Sequence, residues 1–451
     1  MKIESKKPDL KTRIKNVTLD IILSSTSHGL PNIFRSSNLY IKLMWIFFTL
    51  ISSGLLAYMV TQSIMNYFKY EVTTKTRVKT EFKSTFPTIT VCNLNFFTNE
   101  YSADYIKSID YFKFERNPLS KNFEYFARAL KTKNSSFYGD SLEKLIVYCE
   151  YEGRKCNMSQ VKYYDHPEYG NCYMINSGYD KNGNKIPLWP AVAPKRQLGL
   201  NLLLNISVHD ELKFLSPNYG AIVMIHNNTI NPFVQEGITL SPKTESNIAL
   251  TKSVFSSQPK PYSDCDGNTD DPNAYNYELF KLIHKNGGGY SQFLCLGLCV
   301  QRSVVNKCNC SLATFPSFFG AKACLSNVEE ICMDNNIKII TGNTYISDVC
   351  YKECPLECEG MNFQKTVSIN QFSNDNWIEY LQAYDKNDSI YFNKSINSDD
   401  LAAVRIYYET ISYTQIEEEP TTLGVSVLSF VEIIECFMQI FLILINNNKV
   451  S

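Results

Sequence analysis

Fifteen cysteines in a chain of 451 residues are the first reactive groups to account for. Thiols in that number point to disulfides formed in an oxidising compartment, since cytosolic thiols stay reduced. Their spacing carries information. Cys295 and Cys299 lie four apart, as do Cys350, Cys354 and Cys358. On a helix, positions i and i+4 share a face. Two antiparallel helices with such faces can be bridged in rungs, one index rising by four as the other falls by four. That predicts Cys295–Cys354 and Cys299–Cys350, with Cys265 the free candidate for Cys358. Cys308-Asn309-Cys310, followed by Cys324 and Cys332, predicts two local loops. Zinc is the competing reading of this cluster, but no CxxC pair is present and the compartment favours disulfides.

Other reactive patterns lead nowhere catalytic. There is no HExxH, no G-x-S-x-G and no P-loop. Gly287-Gly288-Gly289 runs into Tyr290-Ser291 instead of Lys-Ser/Thr, so it reads as a plain turn. Gly424-Val425-Ser426 opens like a nucleophile motif, but Val427-Leu428 ends that reading. His166, His209, His226 and His284 are scattered and read as surface or strand residues, not ligands. The chain is expected not to be an enzyme and to need no cofactor and no metal. Lys+Arg 44 against Asp+Glu 45 gives no basic excess, which argues against a nucleic-acid binder. Hydrophobic content of 44% excludes a disordered chain.

What must hold these groups is a membrane-anchored ectodomain. Leu43–Ile64 is 22 residues without a charge, about 33 Å of helix, enough to cross hydrocarbon. Its polar residues form no face, unlike a buried core helix, and it starts too late for a signal peptide. Leu423–Ile445 is a second span of 23 residues that carries Glu432 and Glu435. Carboxylates inside a membrane are tolerated when they face water or protein. Residues 1–42 hold eight Lys/Arg against three acids, so the positive-inside rule puts both termini in the cytoplasm. The expected organisation is 1–42 cytoplasmic, 43–64 first span, 65–422 extracellular, 423–445 second span and 446–451 cytoplasmic tail, in a plasma membrane.

Two counts agree with that sidedness. Fourteen of the 15 cysteines lie between the spans, and only Cys436 lies within one. Seven N-x-S/T sequons also lie between them, at Asn134, Asn157, Asn205, Asn227, Asn309, Asn387 and Asn393. Asn16 heads another, which this topology leaves unmodified. Within the ectodomain, short alternating runs predict strands at Thr88–Asn93, Leu200–Val208, Ala221–His226 and Val404–Tyr408. Helices are predicted around 290–303 and 345–359. The fold class is therefore an α+β membrane protein with two transmembrane helices and a large disulfide-rich extracellular domain.

The residues resemble the degenerin/epithelial sodium channel family, which includes acid-sensing and peptide-gated channels. Ser24–Leu30 (SSTSHGL) looks like the family's His-Gly box before the first span. Phe86–Asn95 (FPTITVCNLN) looks like the entry to the first ectodomain strand, and Cys172–Gly178 (CYMINSG) is similar to another family block. Cys308-Asn309-Cys310 and its flanking cysteines look like the cysteine-rich thumb. Gly424-Val425-Ser426 resembles the G-x-S selectivity tripeptide. The resemblance covers nearly the whole chain.

It implies a homo- or hetero-trimer of subunits, each with palm, β-ball, finger, thumb and knuckle. It also implies disulfides Cys92–Cys172, Cys149–Cys156, Cys265–Cys358, Cys295–Cys354, Cys299–Cys350, Cys308–Cys332 and Cys310–Cys324. The activity implied is amiloride-sensitive, passive Na⁺ flow across the lipid bilayer, gated by an unspecified stimulus such as a proton or a peptide. Gly424, Val425 and Ser426 would form the selectivity filter, Glu432 and Glu435 would line the pore, and His28 and Gly29 would serve gating. The ectodomain's 35 Lys/Arg and 40 Asp/Glu are too evenly matched to argue for proton sensing.

One departure stands out. Glu419-Pro420-Thr421-Thr422 runs straight into Leu423-Gly424, where family members have an apolar, glycine-containing half-span. A non-conducting subunit that modifies intact relatives is thus a second reading, and a cysteine-rich surface receptor a third.

Overall fold

In the computed structural model of the protein, residues 30–108, 135–286, 289–313, 315–316, 318–324, 326–342, 344–372 and 397–420 are described, with isolated positions at 14, 18, 19, 23 and 376. The chain divides into two compact units, residues 1–73 with 419–451 and residues 74–418.

The first unit contains α1 (Leu30–Arg35) and the long α2 (Leu39–Tyr67). Asn38 caps α2 by accepting the Tyr40 N–H at 3.0 Å, satisfying one of the orphan donors of a helix start. Leu39–Asn66 is long and apolar enough to cross a membrane, and none of its apolar window is buried. Phe47, Leu50 and Leu56 all point away from other described parts of the chain. A helix apolar all round with no protein cover fits a lipid environment. The predicted second span, Leu423–Ile445, lies outside the described residues.

The second unit is built on two sheets. The larger joins β4 (Ile146–Tyr151), β5 (Arg154–Lys155), β9 (Leu200–Asn205), β12 (Thr244–Ser256), β15 (Glu359–Gln371) and β16 (Leu401–Pro420), in the order β15-β12-β16-β9-β4-β5. A further strand, β1 (Val72–Thr80), pairs with β16, and the short β2 (Ser84–Thr85) and β8 (Pro190–Ala191) pair with each other, while α3 (Glu100–Ser108) and α4 (Leu142–Leu145) belong to the same unit. The smaller sheet holds β3 (Thr88–Asn93), β6 (Lys162–His166), β7 (Gly170–Ile175), β10 (Ala221–His226) and β11 (Ile238–Leu240), in the order β11-β10-β3-β7-β6.

One apolar core lies between these sheets. Leu200, Leu202 and Leu204 of β9 and Val404 and Ile406 of β16 meet Ile89, Val91, Ile175, Val223 and Ile225. The other face of the smaller sheet is buried too, with Ile222 and Met224 around the Cys92–Cys172 bridge. That is why β10 (AIVMIH) reads as a nearly continuous apolar run instead of an alternating one. At Gly199, just before β9, an added Cβ would sit 2.2 Å from the Ile406 carbonyl oxygen, so only glycine lets β9 lie this close to β16.

The structure corrects three predicted boundaries. The strand expected over Leu200–Val208 stops at Asn205, because Asn205 turns its Oδ1 to the Ser207 N–H and Ile206 N–H donates to the Asp400 carbonyl. The strand expected over Val404–Tyr408 extends to Leu401–Pro420. The helix expected over 345–359 ends at Glu353. Cys354 has already left helical geometry, as a residue before proline tends to, and Pro355 has no N–H to continue the ladder. Residues 356–357 and 359–371 form strands instead.

His226 is buried at the end of β10. Its Nδ1 donates to the Asn227 carbonyl at 2.9 Å, so Nε2 accepts the Thr90 hydroxyl at 2.8 Å and the neutral ring is satisfied. Burial lowers its pKa to about 4. The unfolded imidazole binds a proton near pH 6.5 while the folded one resists, so stability is lost as pH falls from about 6.5 to 4, by about 3 kcal/mol in all. Thermal unfolding of the purified chain should show this decline, and His226→Gln should flatten it. An equal slope in the variant would assign the decline to other groups.

Candidate functional site

All fourteen cysteines of the second unit are paired: Cys92–Cys172, Cys149–Cys156, Cys265–Cys358, Cys295–Cys354, Cys299–Cys350, Cys308–Cys332 and Cys310–Cys324. The first two staple sheets. Cys92 and Cys172 stand directly opposite each other on β3 and β7, with Cα atoms 4.4 Å apart.

The other five build a helical arm. Its frame is α6 (Gln292–Cys308), with Leu294, Cys295, Leu298 and Cys299 on the buried face at helical spacing. Cys295 and Cys299 reach across to Cys354 and Cys350 with Cα separations of 5.7 and 5.8 Å. α5 (Glu278–Lys285) closes the cluster with Leu279, Phe280 and Ile283. α7 (Asn327–Gly342) is bolted to the end of α6 by Cys308–Cys332. Arg302 of α6 pairs with Glu353 at 2.8 Å and Glu278 at 3.7 Å, tying three segments together. At the base of the arm, β13 (Cys265–Asp266) and β14 (Leu356–Glu357) pair in parallel beside Cys265–Cys358. Gln292 N–H donates to the Glu357 carboxylate at 2.9 Å, and burial raises that carboxyl above its ordinary value.

A second cluster lies where β1, β12 and β16 converge. Lys252 of β12 is 8% exposed, and its Nζ donates to both carboxylate oxygens of Glu81 at 3.1 Å. The same ammonium sits 4.9 Å from the centre of the Tyr413 ring, a cation–π contact. Arg77 pairs with Glu417 at 3.7 Å, and Gln258 donates to the Glu418 carbonyl at 2.7 Å. These contacts bind the strand that follows α2 in sequence to the strand that precedes residues 421–451. The sequence reading missed Lys252, although its signal was there. Ile248, Leu250 and Lys252 share one face, so a lysine stands in a core phase and needs a buried partner. Lys252→Met leaves Glu81 without its cation and should lower stability by about 1–3 kcal/mol, since removing one partner of a largely buried pair is costly. Thermal unfolding measures it, and an unchanged midpoint would show the pair to be inert.

The predicted site residues divide sharply. Gly424, Val425, Ser426, Glu432, Glu435, His28 and Gly29 lie outside the described residues, as do Asn134, Asn387 and Asn393. Asn157 and Asn309 are exposed, and Asn205 and Asn227 are half-buried. Asn309 takes the left-handed conformation that ends α6. Among the described histidines, His166 and His226 are buried on strands. Among the described residues, no group of His, Cys, Asp and Glu has a metal-holding arrangement.

The family described as amiloride-sensitive sodium channel matches residues 22–436. The chain is similar to epithelial sodium channel subunit alpha of Xenopus laevis, 26% identical over 325 residues, covering 68% of this chain and 49% of that one. Subunit beta-2 of the same organism is 26% identical over 296 residues, 64% of this chain and 44% of that one. Subunit gamma of Neoceratodus forsteri is 26% identical over 299 residues, 64% and 43% respectively. The chain spans about half the length of these relatives.

Proposed function

Because this chain belongs to the amiloride-sensitive sodium channel family, we propose that it is a subunit of a trimeric, sodium-selective channel of the plasma membrane. The family match over residues 22–436 carries the reading. The bare apolar helix Leu39–Tyr67 and an ectodomain closed by seven disulfides support it. In this reading residues 65–422 are extracellular and glycosylated, and both termini are cytoplasmic. Three copies, or one copy with two related subunits, bring Gly424-Val425-Ser426 together around the ion path. Glycine lets three backbones approach closely, and non-helical backbone at membrane depth is tolerable where it lines a wet pore. Glu432 and Glu435 face that water, and His28 and Gly29 act in gating. The permeant ion is Na⁺ and the blocker amiloride.

A second reading has its own support. Pro420-Thr421-Thr422-Leu423 leaves no room for the outer half of the second span, so this form joins relatives without conducting by itself. Both readings require assembly; a cysteine-rich receptor does not. Cross-linking of the full chain at the surface of intact cells should therefore give products of two and three chains and no larger ones. Monomer alone, at a density where a control channel cross-links fully, would favour the receptor.

A further inference from the structure

The larger sheet has one edge unlike its others. β15 ends the sheet, and among the described residues no strand pairs with its outer side. An open edge offers a row of unpaired N–H and C=O groups to any passing chain, and folded proteins guard such edges with charge, proline, bulges or shortness. The other edges follow that rule. β5 is Arg154-Lys155 alone, and β1 carries Lys75, Arg77 and Lys79 on alternate positions. β15 does not. It runs 13 residues and pairs with β12 from Glu359 to Gln371 without a break in register. Residues 366–371, TVSINQ, hold no charge, no proline and no glycine, and all of them are exposed.

The core face of the sheet also stops short there. Two rows of side chains cross it from β16 through β12 to β15: Val404, Ser246, Ile369 and, beside it, Ile406, Ile248, Val367. The β16 and β12 members of both rows are buried, while Val367 is 40% and Ile369 62% exposed. Nearer the start of β15 the same face is closed, with Phe363 in the core and Lys365 Nζ donating to the Glu236 carbonyl at 3.3 Å. The apolar rows are left open where the strand is uncharged.

The chemistry of that stretch indicates what covers it. Beside a rotation axis each residue faces copies of itself, and a charge there meets the same charge. An unrelated partner can answer a lysine with a carboxylate; a second copy cannot. An edge without charge therefore suits a second copy. Thr366, Ser368, Asn370 and Gln371 each donate and accept, so they can hydrogen-bond their own counterparts. Val367 and Ile369 can pack on theirs.

We propose that residues 366–371 of β15 are the surface through which copies of this chain meet around a three-fold axis. The proposal rests on the trimer reading above and adds to it the place of contact.

The test uses the full chain at the surface of intact cells, with Cys436→Ser removing the thiol outside the seven bridges. Ile369→Cys, treated with a short membrane-impermeant bis-maleimide, should give a product of two chains, since one thiol per chain joins two of the three. Val328→Cys, at a side chain of α7 that is 78% exposed, should give little or none. Amine cross-linking of the same samples reports the trimer by itself. A trimer that yields no two-chain product through Ile369→Cys, or as much through Val328→Cys, would overturn the proposal and leave the channel reading standing. Monomer alone would overturn both. A second pair of variants reads energy instead of distance. Ile369→Lys should lower the trimer yield severalfold, while Ile369→Thr should keep most of it. Position 369 is exposed in the single chain, so neither change should move the unfolding midpoint of the monomer fraction by more than about two degrees. Full trimer yield from Ile369→Lys would equally sink the proposal.

Discussion

Cells expressing the chain as it stands should carry little or no sodium current, and an apolar, glycine-bearing insert between Thr422 and Leu423 should restore a current that amiloride blocks. The second unit gives no reason for failure, since among the described residues its two sheets, core and disulfides are formed. The difficulty lies in the membrane. Leu423–Ile445 is 23 residues, about 34 Å as helix, so it can cross by itself. On the channel reading it would then start at Leu423, which would leave Gly424-Val425-Ser426 at the outer surface, where three chains would narrow nothing. Glu432 and Glu435 would then fall near mid-depth, at about 2.5–3.5 kcal/mol each unless kept wet. An insert of about fifteen residues adds about 22 Å of helix and returns the tripeptide to the middle of the bilayer. Voltage clamp with and without the insert, alongside surface biotinylation, decides the matter. A robust Na⁺-selective current from the uninserted chain would refute the account and show that a 23-residue second span makes a pore.

Removing both rungs of the helical arm should damage the protein more than removing any other staple. The bridges close separations of 59 residues (Cys295–Cys354) and 51 residues (Cys299–Cys350). Chain entropy makes each worth about 4 kcal/mol, against about 2 kcal/mol for a closure as short as Cys149–Cys156. The four rung cysteines are also fully buried in one apolar cluster, so their loss opens space in a packed core. Alanine at all four positions should cut surface delivery severalfold, while the Cys149→Ala, Cys156→Ala double variant should be delivered nearly as well as the parent. Equal delivery of the two would show that the arm folds without its rungs.

How much of this was legible in the sequence depended on the range of the interaction. The arm's rungs follow from helical periodicity, because cysteines four apart must share a face. The strand Thr88–Asn93 was legible because Ile89 and Val91 alternate with Thr88 and Thr90, and Ala221–His226 is a nearly unbroken apolar run because both its faces are buried. β15 was not, because it is an edge strand rich in exposed polar residues and shows no alternation. The parallel pairing of β12 with β16 joins residues some 160 positions apart, and no local pattern encodes it.

The long strand β16 is in fact two strands in series. Its first block, Ala403–Tyr408, pairs with Glu245–Leu250, and its second, Tyr413–Glu417, pairs with Lys252–Ser256. Between them β16 advances five residues, Tyr408 to Tyr413, while β12 advances two, Leu250 to Lys252. The difference is three residues of spare contour, about 10 Å when drawn straight. The first block is also held by β9 through Leu401–Ile406 and roots in the core, while the second is not. A pull on the C-terminal end of β16 therefore loads the second ladder and the β1 strand paired beside it, before the β9 pairing. If that ladder slips, the slack is taken up before any tension reaches Val404 or Ile406. The fold has a fuse between its rigid body and the strand that leads to residues 421–451, and its place is fixed by a mismatch in count, without any hinge glycine.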